Sequence, residues 1–236
     1  ASAKSQSNTA NYIKQRLSLR QPLREALDIL VNLADKLELK KEVDLKTELE
    51  KVQNLFSSCT DFEREFPSIC FSIATGVGKT RLMGACIAYL YLHKGIRNFF
   101  VLAPNLTIYD KLIDDFGNPG NPKYVFNGIS EFVHNRPVII TGENYSQQGN
   151  LFKESEIRIN VFNIAKFNSE NRATRSGGKS LPPRIKRLAE VLGQSYWDYL
   201  SNLDDLVILM DEAHRYHADA SSKAINELKP VLGIEL

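Results

Sequence analysis

Residues 68–80, SICFSIATGVGKT, join an apolar run to a glycine-containing turn that leads into a second apolar segment. The run Ser68–Ile73 is rich in strand-forming residues, and the long apolar segment Thr80–His93, which ends before Gly95, predicts a helix. Glycine allows the backbone to approach a phosphate closely, and the free N–H groups at the start of a helix attract anions. This stretch therefore predicts a strand, a phosphate-binding loop and a helix in succession.

Each position of the predicted loop has a part in binding a nucleotide such as ATP. Lys79 would reach the β- and γ-phosphates, and the hydroxyl group of Thr80 would bind Mg²⁺. Ile73 occupies a position where the strict pattern has glycine, which leaves a chance glycine-rich turn as the alternative. The residues expected to contact the nucleotide are Thr75, Gly76, Val77, Gly78, Lys79 and Thr80.

A second chemical signal is the acidic tetrad DEAH at residues 211–214, directly after the apolar run Leu206–Met210. In an open parallel sheet the carboxyl ends of the strands meet at one edge, where ligands bind. Asp211 is therefore expected beside the phosphate loop, where it would help to bind Mg²⁺. Glu212 would orient and polarise the attacking water. The predicted catalytic residues are thus Lys79, Asp211 and Glu212.

The histidines of this region leave a zinc site open as an alternative. Asp211, His214 and His217 recur at three-residue steps and could supply three ligands to a catalytic zinc ion. The neighbouring phosphate loop accounts for Asp211 more economically. The three cysteines include no CxxC pair, so neither a zinc ribbon nor a disulfide framework is indicated. This cysteine usage favours a reduced, cytoplasmic compartment.

The composition is that of an ordinary globular protein. The chain has 236 residues, 43% of them hydrophobic and 25% charged, with a formal net charge of +2. This length corresponds to one or two domains. No apolar stretch approaches the ~18 residues that span a bilayer, so no membrane partner is expected.

Strand and helix candidates alternate after the phosphate loop. A helix is predicted over Leu106–Phe116, between the first and second of four apolar runs. These runs, which predict strands, are Asn98–Ala103, Pro137–Thr141, Arg158–Ile164 and Leu206–Met210. Because they are apolar on both faces, they favour a mostly parallel sheet between two layers of helices. The expected fold class is therefore α/β with three layers.

The N-terminal part differs in pattern from the remainder. Residues 1–10 are small and polar, and we expect a disordered start or a remnant of expression. Residues 11–56 predict a helical lead-in, because leucine and valine recur at three- and four-residue steps. Residues 57–236 would form the nucleotide-binding domain.

A basic segment between residues 166 and 187 is a candidate for nucleic-acid contact. It contains seven lysine and arginine residues and one glutamate, with a Gly-Gly pair near its centre. Such a segment can follow a phosphate backbone, with Arg172, Arg175 and Lys179 as the candidate contacts. A solvated insertion is the open alternative.

Several motifs resemble those of superfamily 2 helicase-type ATPases, and most closely those of the helicase or translocase (Res) subunit of type III restriction enzymes. ATGVGKT at residues 74–80 and DEAH at residues 211–214 resemble motifs I and II of the DEAH-like branch. Val101–Asn105 is similar to motif Ia, whose loop contacts the nucleic-acid backbone in that group. The resemblance therefore implies nucleic-acid contacts by Pro104 and Asn105.

Two further similarities extend the resemblance over residues 16–236. Val161–Phe167 resembles a strand-end segment of type III restriction-enzyme helicase domains. Residues 17–22 resemble the upstream segment that recognises adenine in this group, but Leu23 stands where a glutamine is expected. Gln21 precedes the proline instead, so the pattern does not assign adenine recognition to it.

The resemblance implies a RecA-like lobe that hydrolyses ATP with Mg²⁺ and moves along nucleic acid, with double-stranded DNA as the expected track. It also implies a second RecA-like lobe, and a nuclease domain or a methyltransferase subunit in the parent assembly. Motif III would follow the apolar run at residues 231–236, so we expect a first-lobe fragment. Since the arginine finger of this family belongs to the second lobe, we expect slow hydrolysis by the fragment alone.

Two other functional classes stay open at this point. A regulatory or scaffolding module could bind nucleotide through the same loop without turnover, although Glu212 favours an enzyme. A kinase-like phosphate-loop enzyme would use no nucleic acid, but Val101–Asn105 and the DEAH tetrad argue against it.

Overall fold

The structure, a computed structural model, describes residues 3–142, 144, 156–164, 196–216 and 219–236. The α-helices are α1 (Ala3–Arg16), α2 (Gln21–Lys36), α3 (Leu45–Leu55), α4 (Lys79–Lys94), α5 (Leu106–Gly117), α6 (Ser130–His134), α7 (Tyr196–Ser201) and α8 (Asp219–Glu227). The strands are β1 (Ser68–Cys70), β2 (Asn98–Ala103), β3 (Val138–Thr141), β4 (Arg158–Asn163), β5 (Leu206–Met210) and β6 (Leu232–Glu235). A short 3₁₀ helix, Ala213–Tyr216, follows β5.

The strands form one sheet in which every neighbouring pair is parallel. Their order is β1-β6-β5-β2-β4-β3, so β6 and β5 lie between the first two strands of the chain. In the register, Phe100 of β2 lies between Asn160 of β4 and Ile208 of β5. The carboxyl ends of β1 and β5, which lead into the glycine loop and the acidic motif, therefore lie at the same edge with β6 between them.

Alternate residues of the central strand β2 enter two separate cores on opposite faces of the sheet. Phe99 and Val101 join a core that includes residues of α1, α2, α4 and α5. Phe100 and Leu102 join a second core with residues of α7 and α8. The sheet thus lies between two helical layers, which confirms the predicted three-layer α/β fold with a parallel sheet.

The lead-in residues form α1, α2 and α3, and both α1 and α2 pack against α4. The leucine spacing predicts these helices correctly. The prediction of a disordered start is wrong for residues 3–10, which form the first turns of α1. Ala10 and Ile13 are buried in the core that they share with α4. The polar first turns of α1 thus extend a helix whose later residues are fixed by tertiary packing.

The predicted strand bounds are more accurate at the centre of the sheet than at its edge. β2 and β5 have the predicted bounds, whereas β1 ends at Cys70 instead of Ile73. At this edge, the Phe71 N–H donates to the Glu235 carbonyl (2.8 Å), where β6 itself ends. Because the neighbouring strand stops there, the residues after Phe71 leave the sheet and begin the loop.

Within the described ranges, no helix is both long and apolar enough to cross a membrane. All three cysteines are free: Cys86 is buried, Cys59 is half-buried and Cys70 is exposed.

Candidate functional site

The loop between β1 and α4 has the backbone conformation that its glycines predict. Gly76 (φ +80°) and Gly78 (φ +104°) both lie in the left-handed region, which residues with side chains rarely adopt. Gly78 directly precedes Lys79, the first residue of α4. The free N–H groups and the positive end of the helix dipole are therefore at the end of the loop, as a phosphate site requires. The residues predicted to contact the nucleotide all lie in this loop and at the start of α4: Thr75, Gly76, Val77, Gly78, Lys79 and Thr80.

The helical lead-in packs against this loop. A Cβ atom on Gly78 would lie 3.3 Å from Leu23 Cδ1 in α2. Arg81, in the first turn of α4, donates from Nη1 to the Leu17 carbonyl (2.6 Å). Leu23, which stands where a glutamine was expected, is 1% exposed. It is therefore a packing residue under the loop.

The acidic motif lies at the carboxyl end of β5 and is bonded to both neighbouring strands. The Asp211 N–H donates to the Leu102 carbonyl in β2 (3.2 Å), and the Ala213 N–H donates to the Leu236 carbonyl after β6 (3.3 Å). Glu212 has φ +52°, a left-handed conformation that costs about 1–2 kcal/mol for a residue with a side chain. Such strain persists where the surroundings hold the backbone in place, and it is common at functional sites.

The carboxyl group of Asp211 is partly buried and lies close to positive charge. Its Oδ1 atom is buried and accepts no hydrogen bond from the residues that the structure describes. Burial raises the pKa of Asp211, and the positive charge of Lys79 opposes this rise. The structure therefore brings Asp211 within electrostatic reach of the loop lysine. A buried carboxylate oxygen without a partner fits a hard divalent cation such as Mg²⁺.

A comparison with known families agrees with this geometry. The sequence model of the family described as "Type III restriction enzyme, res subunit" matches residues 17–236. The chain belongs to this family. A protein of Haemophilus influenzae described as "Probable type III restriction-modification enzyme HindVIP Res subunit" is 29% identical over 178 residues. That match covers 70% of this chain and 29% of the relative, so the chain spans under a third of the relative's length. Together with the parallel sheet, the family confirms the predicted helicase-type, RecA-like domain.

In this res-subunit domain, α5 brings to the phosphate loop a lysine that sequence reasoning missed. Lys111 Nζ donates to the Thr80 hydroxyl oxygen (3.0 Å) and to Asp115 Oδ2 (2.7 Å). The one signal in the sequence was the Lys111–Asp115 pair at i,i+4, a spacing that most often stabilises a helix surface. The loop therefore has two lysines beside it, Lys79 from its own helix and Lys111 from the next.

A cavity of about 740 Å³ opens beside the phosphate loop of the res-subunit domain. Ala74 and Val77 line it on the loop side, and Pro22 and Glu25 line it on the α2 side. Gln21 is outside the lining, and its side-chain Nε2 donates to Glu25 Oε1 (3.0 Å). The cavity offers room for a nucleoside next to the loop, with Glu25 rather than Gln21 at its wall.

The loop after β2, where nucleic-acid contacts were predicted, lies at the same edge of the sheet as the acidic motif. Pro104 is buried, and Asn105 caps α5 because its Oδ1 accepts the Ile108 N–H (2.9 Å). Leu106, the first residue of α5, is 55% exposed. Of the two contacts predicted in this loop, Asn105 is therefore partly exposed, whereas Pro104 is buried. The other candidate contacts lie outside the described residues: Arg172, Arg175 and Lys179.

The alternative zinc site lies partly outside the described residues. Within the described residues, no group of three or more His, Cys, Asp and Glu side chains could hold a metal ion. His214 is exposed, and His217 lies outside the described residues. Asp211 is better explained by the phosphate loop, because its electrostatic neighbours include Lys79.

Proposed function

We propose that this domain binds ATP with Mg²⁺ and forms the first lobe of a DNA-directed helicase or translocase in a restriction enzyme. One observation carries the proposal: the glycine loop, Lys79 and the partly buried Asp211 meet at one edge of the parallel sheet. The Oδ1 atom of Asp211 has no hydrogen-bond partner within the described residues. A purely structural carboxylate would be expected to satisfy both oxygens at such a position.

Each residue of the site has a distinct expected role in ATP hydrolysis. The N–H groups of the loop and of the first turn of α4 bind phosphate oxygens. Lys79 neutralises charge on the β- and γ-phosphates. Thr80 and Asp211 hold Mg²⁺, which supplies further positive charge to the phosphates. Glu212, next in sequence at the same strand end, orients and polarises the attacking water.

The relative and the layout of the sheet edge support the proposed DNA track and partners. The relative's description names a restriction–modification enzyme, which favours a DNA substrate and a methyltransferase subunit as partners. Pro104 and Asn105 follow β2, the strand bonded to Asp211 through Leu102. A DNA contact there would lie one strand away from the acidic motif. A second RecA-like lobe would supply the arginine that completes the ATP site.

Nucleotide binding by the full chain is the direct test of the site. Titration calorimetry with Mg²⁺ and the non-hydrolysable analogue AMP-PNP should detect binding. Lys79→Ala should weaken it about ten- to hundredfold, the range for a hydrogen bond to a charged group. Lys94→Ala, at the opposite end of α4, is the matched control and should bind like the wild type. Equal affinities for Lys79→Ala and the wild type would contradict the proposal.

DNA-stimulated turnover separates a motor from a module that only binds nucleotide. We expect slow ATP hydrolysis by this chain and faster hydrolysis once DNA and the downstream lobe are added. An arginine supplied across the site is worth ~10³–10⁵ in rate in related enzymes. Glu212→Gln should abolish the stimulated rate while AMP-PNP binding persists. Absence of any DNA stimulation would favour the regulatory module instead.

A further inference from the structure

Lys111 makes a contact that the proposed hydrolysis does not require. Its ammonium group donates to the Thr80 hydroxyl oxygen at 3.0 Å and to Asp115 Oδ2 at 2.7 Å. Thr80 is expected to bind the divalent cation through that same oxygen. The side chain of Lys111 is 43% exposed, so it approaches Thr80 from the solvent side and not from a packed core.

Asp115 gives Lys111 a fixed anchor outside the site. The side chain of Asp115 is 6% exposed. The side-chain Oδ1 of Asp115 accepts a hydrogen bond from Asn121 Nδ2 (2.9 Å), and the backbone carbonyl of Asp115 accepts one from the Val125 N–H (2.9 Å). These bonds hold Asp115 in place independently of the lysine. Lys111 can therefore give up Thr80 and still keep a charged partner.

The charge of Lys111 also acts on the second residue expected to bind the cation. The pKa of Asp211, which burial raises, is lowered by the charge of Lys79 and, to a smaller extent, by that of Lys111. The ammonium group thus interacts with both expected ligands, Thr80 and Asp211. A divalent cation between the same two side chains would be repelled by it.

We propose that Lys111 and the divalent cation compete for the Thr80 hydroxyl group, a role that rests on the proposed nucleotide site. Without the cation, the ammonium group contributes positive charge to phosphate binding. When cation and nucleotide bind together, the ammonium group leaves Thr80 and keeps its bond to Asp115, as its flexible four-carbon stem allows. Lys111 is thus a positioning residue that raises the cation concentration needed for nucleotide binding.

This competition predicts two shifts of opposite sign when Lys111 loses its charge. In EDTA, Lys111→Met should weaken AMP-PNP binding by about two- to fivefold, the effect of a half-exposed charge. In titrations with Mg²⁺, the same variant should lower the Mg²⁺ concentration that gives half-maximal AMP-PNP binding by a similar factor. Lys111→Arg keeps the charge and should stay near the wild type in EDTA. A residue that merely stabilised the loop would make both quantities worse.

Calorimetric titrations of the full chain give the comparison, with the exposed Lys123→Met as the charge-matched control. Thermal melting identifies folded variants, and Lys111→Gln replaces Lys111→Met if the latter does not melt cooperatively. Opposite shifts that are absent from Lys123→Met support the competition. Shifts of one sign, or none beyond those of Lys123→Met, overturn it and leave the nucleotide site standing. If the wild type binds no AMP-PNP, the nucleotide site fails and the competition with it.

Discussion

Asp211 carries a carboxyl group whose ionisation the fold opposes. Burial raises its pKa above that of an exposed aspartate. Because the pKa in the folded state is above that in the unfolded chain, ionisation lowers the free energy of unfolding. This loss is absent below the unfolded pKa, and it grows as the pH rises through the folded pKa. At neutral pH the protein therefore carries a destabilising group at this strand end, a common cost of functional sites.

Replacing Asp211 by asparagine removes that cost and nearly keeps the shape. We expect Asp211→Asn to raise the free energy of unfolding at pH 7 by at most about 0.5–1 kcal/mol, because solvent screens a carboxylate that is only partly buried. We also expect it to lose Mg²⁺-dependent nucleotide binding. Urea unfolding followed by circular dichroism measures the first effect, and calorimetry measures the second. Asp110→Asn, at an exposed position of α5, is the control and should change neither. A destabilised Asp211→Asn would mean that the carboxylate has a structural role.

At the residue scale, the sequence predicts the position of a site residue where a short pattern of neighbouring residues determines it. The spacing of Gly76, Gly78 and Lys79 determines a loop and a helix start within a few residues. The acid after β5 is located by the rule that parallel strands share a carboxyl edge. Lys111 escapes such rules, because its contact with Thr80 joins two helices across 31 positions of the chain. Only the packing of α5 against α4 brings the pair together.

At the element scale, α4 comes so close to a neighbouring loop that one position cannot carry a side chain. A Cβ atom on Gly84 would lie 1.9 Å from Val125 Cγ1. We expect Gly84→Ala to destabilise the protein by about 1–3 kcal/mol through overpacking. This loss would appear although alanine is better than glycine in a helix by about 1 kcal/mol. The free energy of unfolding in urea measures the effect.

A double variant shows whether Val125 causes this loss. Gly84→Ala combined with Val125→Ala should be more stable than the sum of the two single changes predicts, because the smaller side chain makes room for the new methyl group. The coupling free energy from the four proteins is the readout. Additive losses, or a Gly84→Ala variant more stable than the wild type, would contradict the close approach.

The bounds of a strand were predictable where its apolar run ends at the same residue as its hydrogen bonding to the neighbouring strands. β2 and β5 lie between other strands of the sheet, and their bounds agree with the apolar runs. β1 ends earlier than its run, because the adjacent β6 ends at Glu235. The first turns of α1 were missed because residues 3–10 are small and polar, whereas the helix that they begin packs on α4 through later residues such as Ile13. The predicted bounds are thus wrong where a neighbouring strand or helix, rather than the local sequence pattern, determines where an element begins or ends.

At the scale of the whole molecule, the helical lead-in is a cover for α4. Residues 82–90 of α4 are all buried, so this helix has no solvent-facing side along that stretch. A helix that is apolar on every side must be covered on every side. The sheet covers one side, and α1 and α2 pack on another. We therefore expect residues 11–56 and 57–236 to unfold together and not as two domains.

The two cores offer a test of that unity. Leu27 of α2 is fully buried on one face of the sheet, and Trp197, the single tryptophan, is buried on the other. Leu27→Ala should cost about 2–5 kcal/mol, as for other buried leucines. If the chain unfolds as one unit, tryptophan fluorescence and far-UV circular dichroism should report the same shift of the urea midpoint.

We expect coincident shifts, because adjacent residues of β2 anchor both cores. Phe99 packs in the core of the lead-in. Phe100 packs on the opposite face, where its ring meets that of Trp197 edge to face with the centroids 6.5 Å apart. Loosening the first core therefore loosens the strand that supports the second. Leu55→Ala, at a position that is 41% exposed, is the control. With either probe, it should change the free energy of unfolding by no more than about 0.5 kcal/mol. A fluorescence midpoint that stays at the wild-type value in Leu27→Ala would show that residues 57–236 fold without the lead-in.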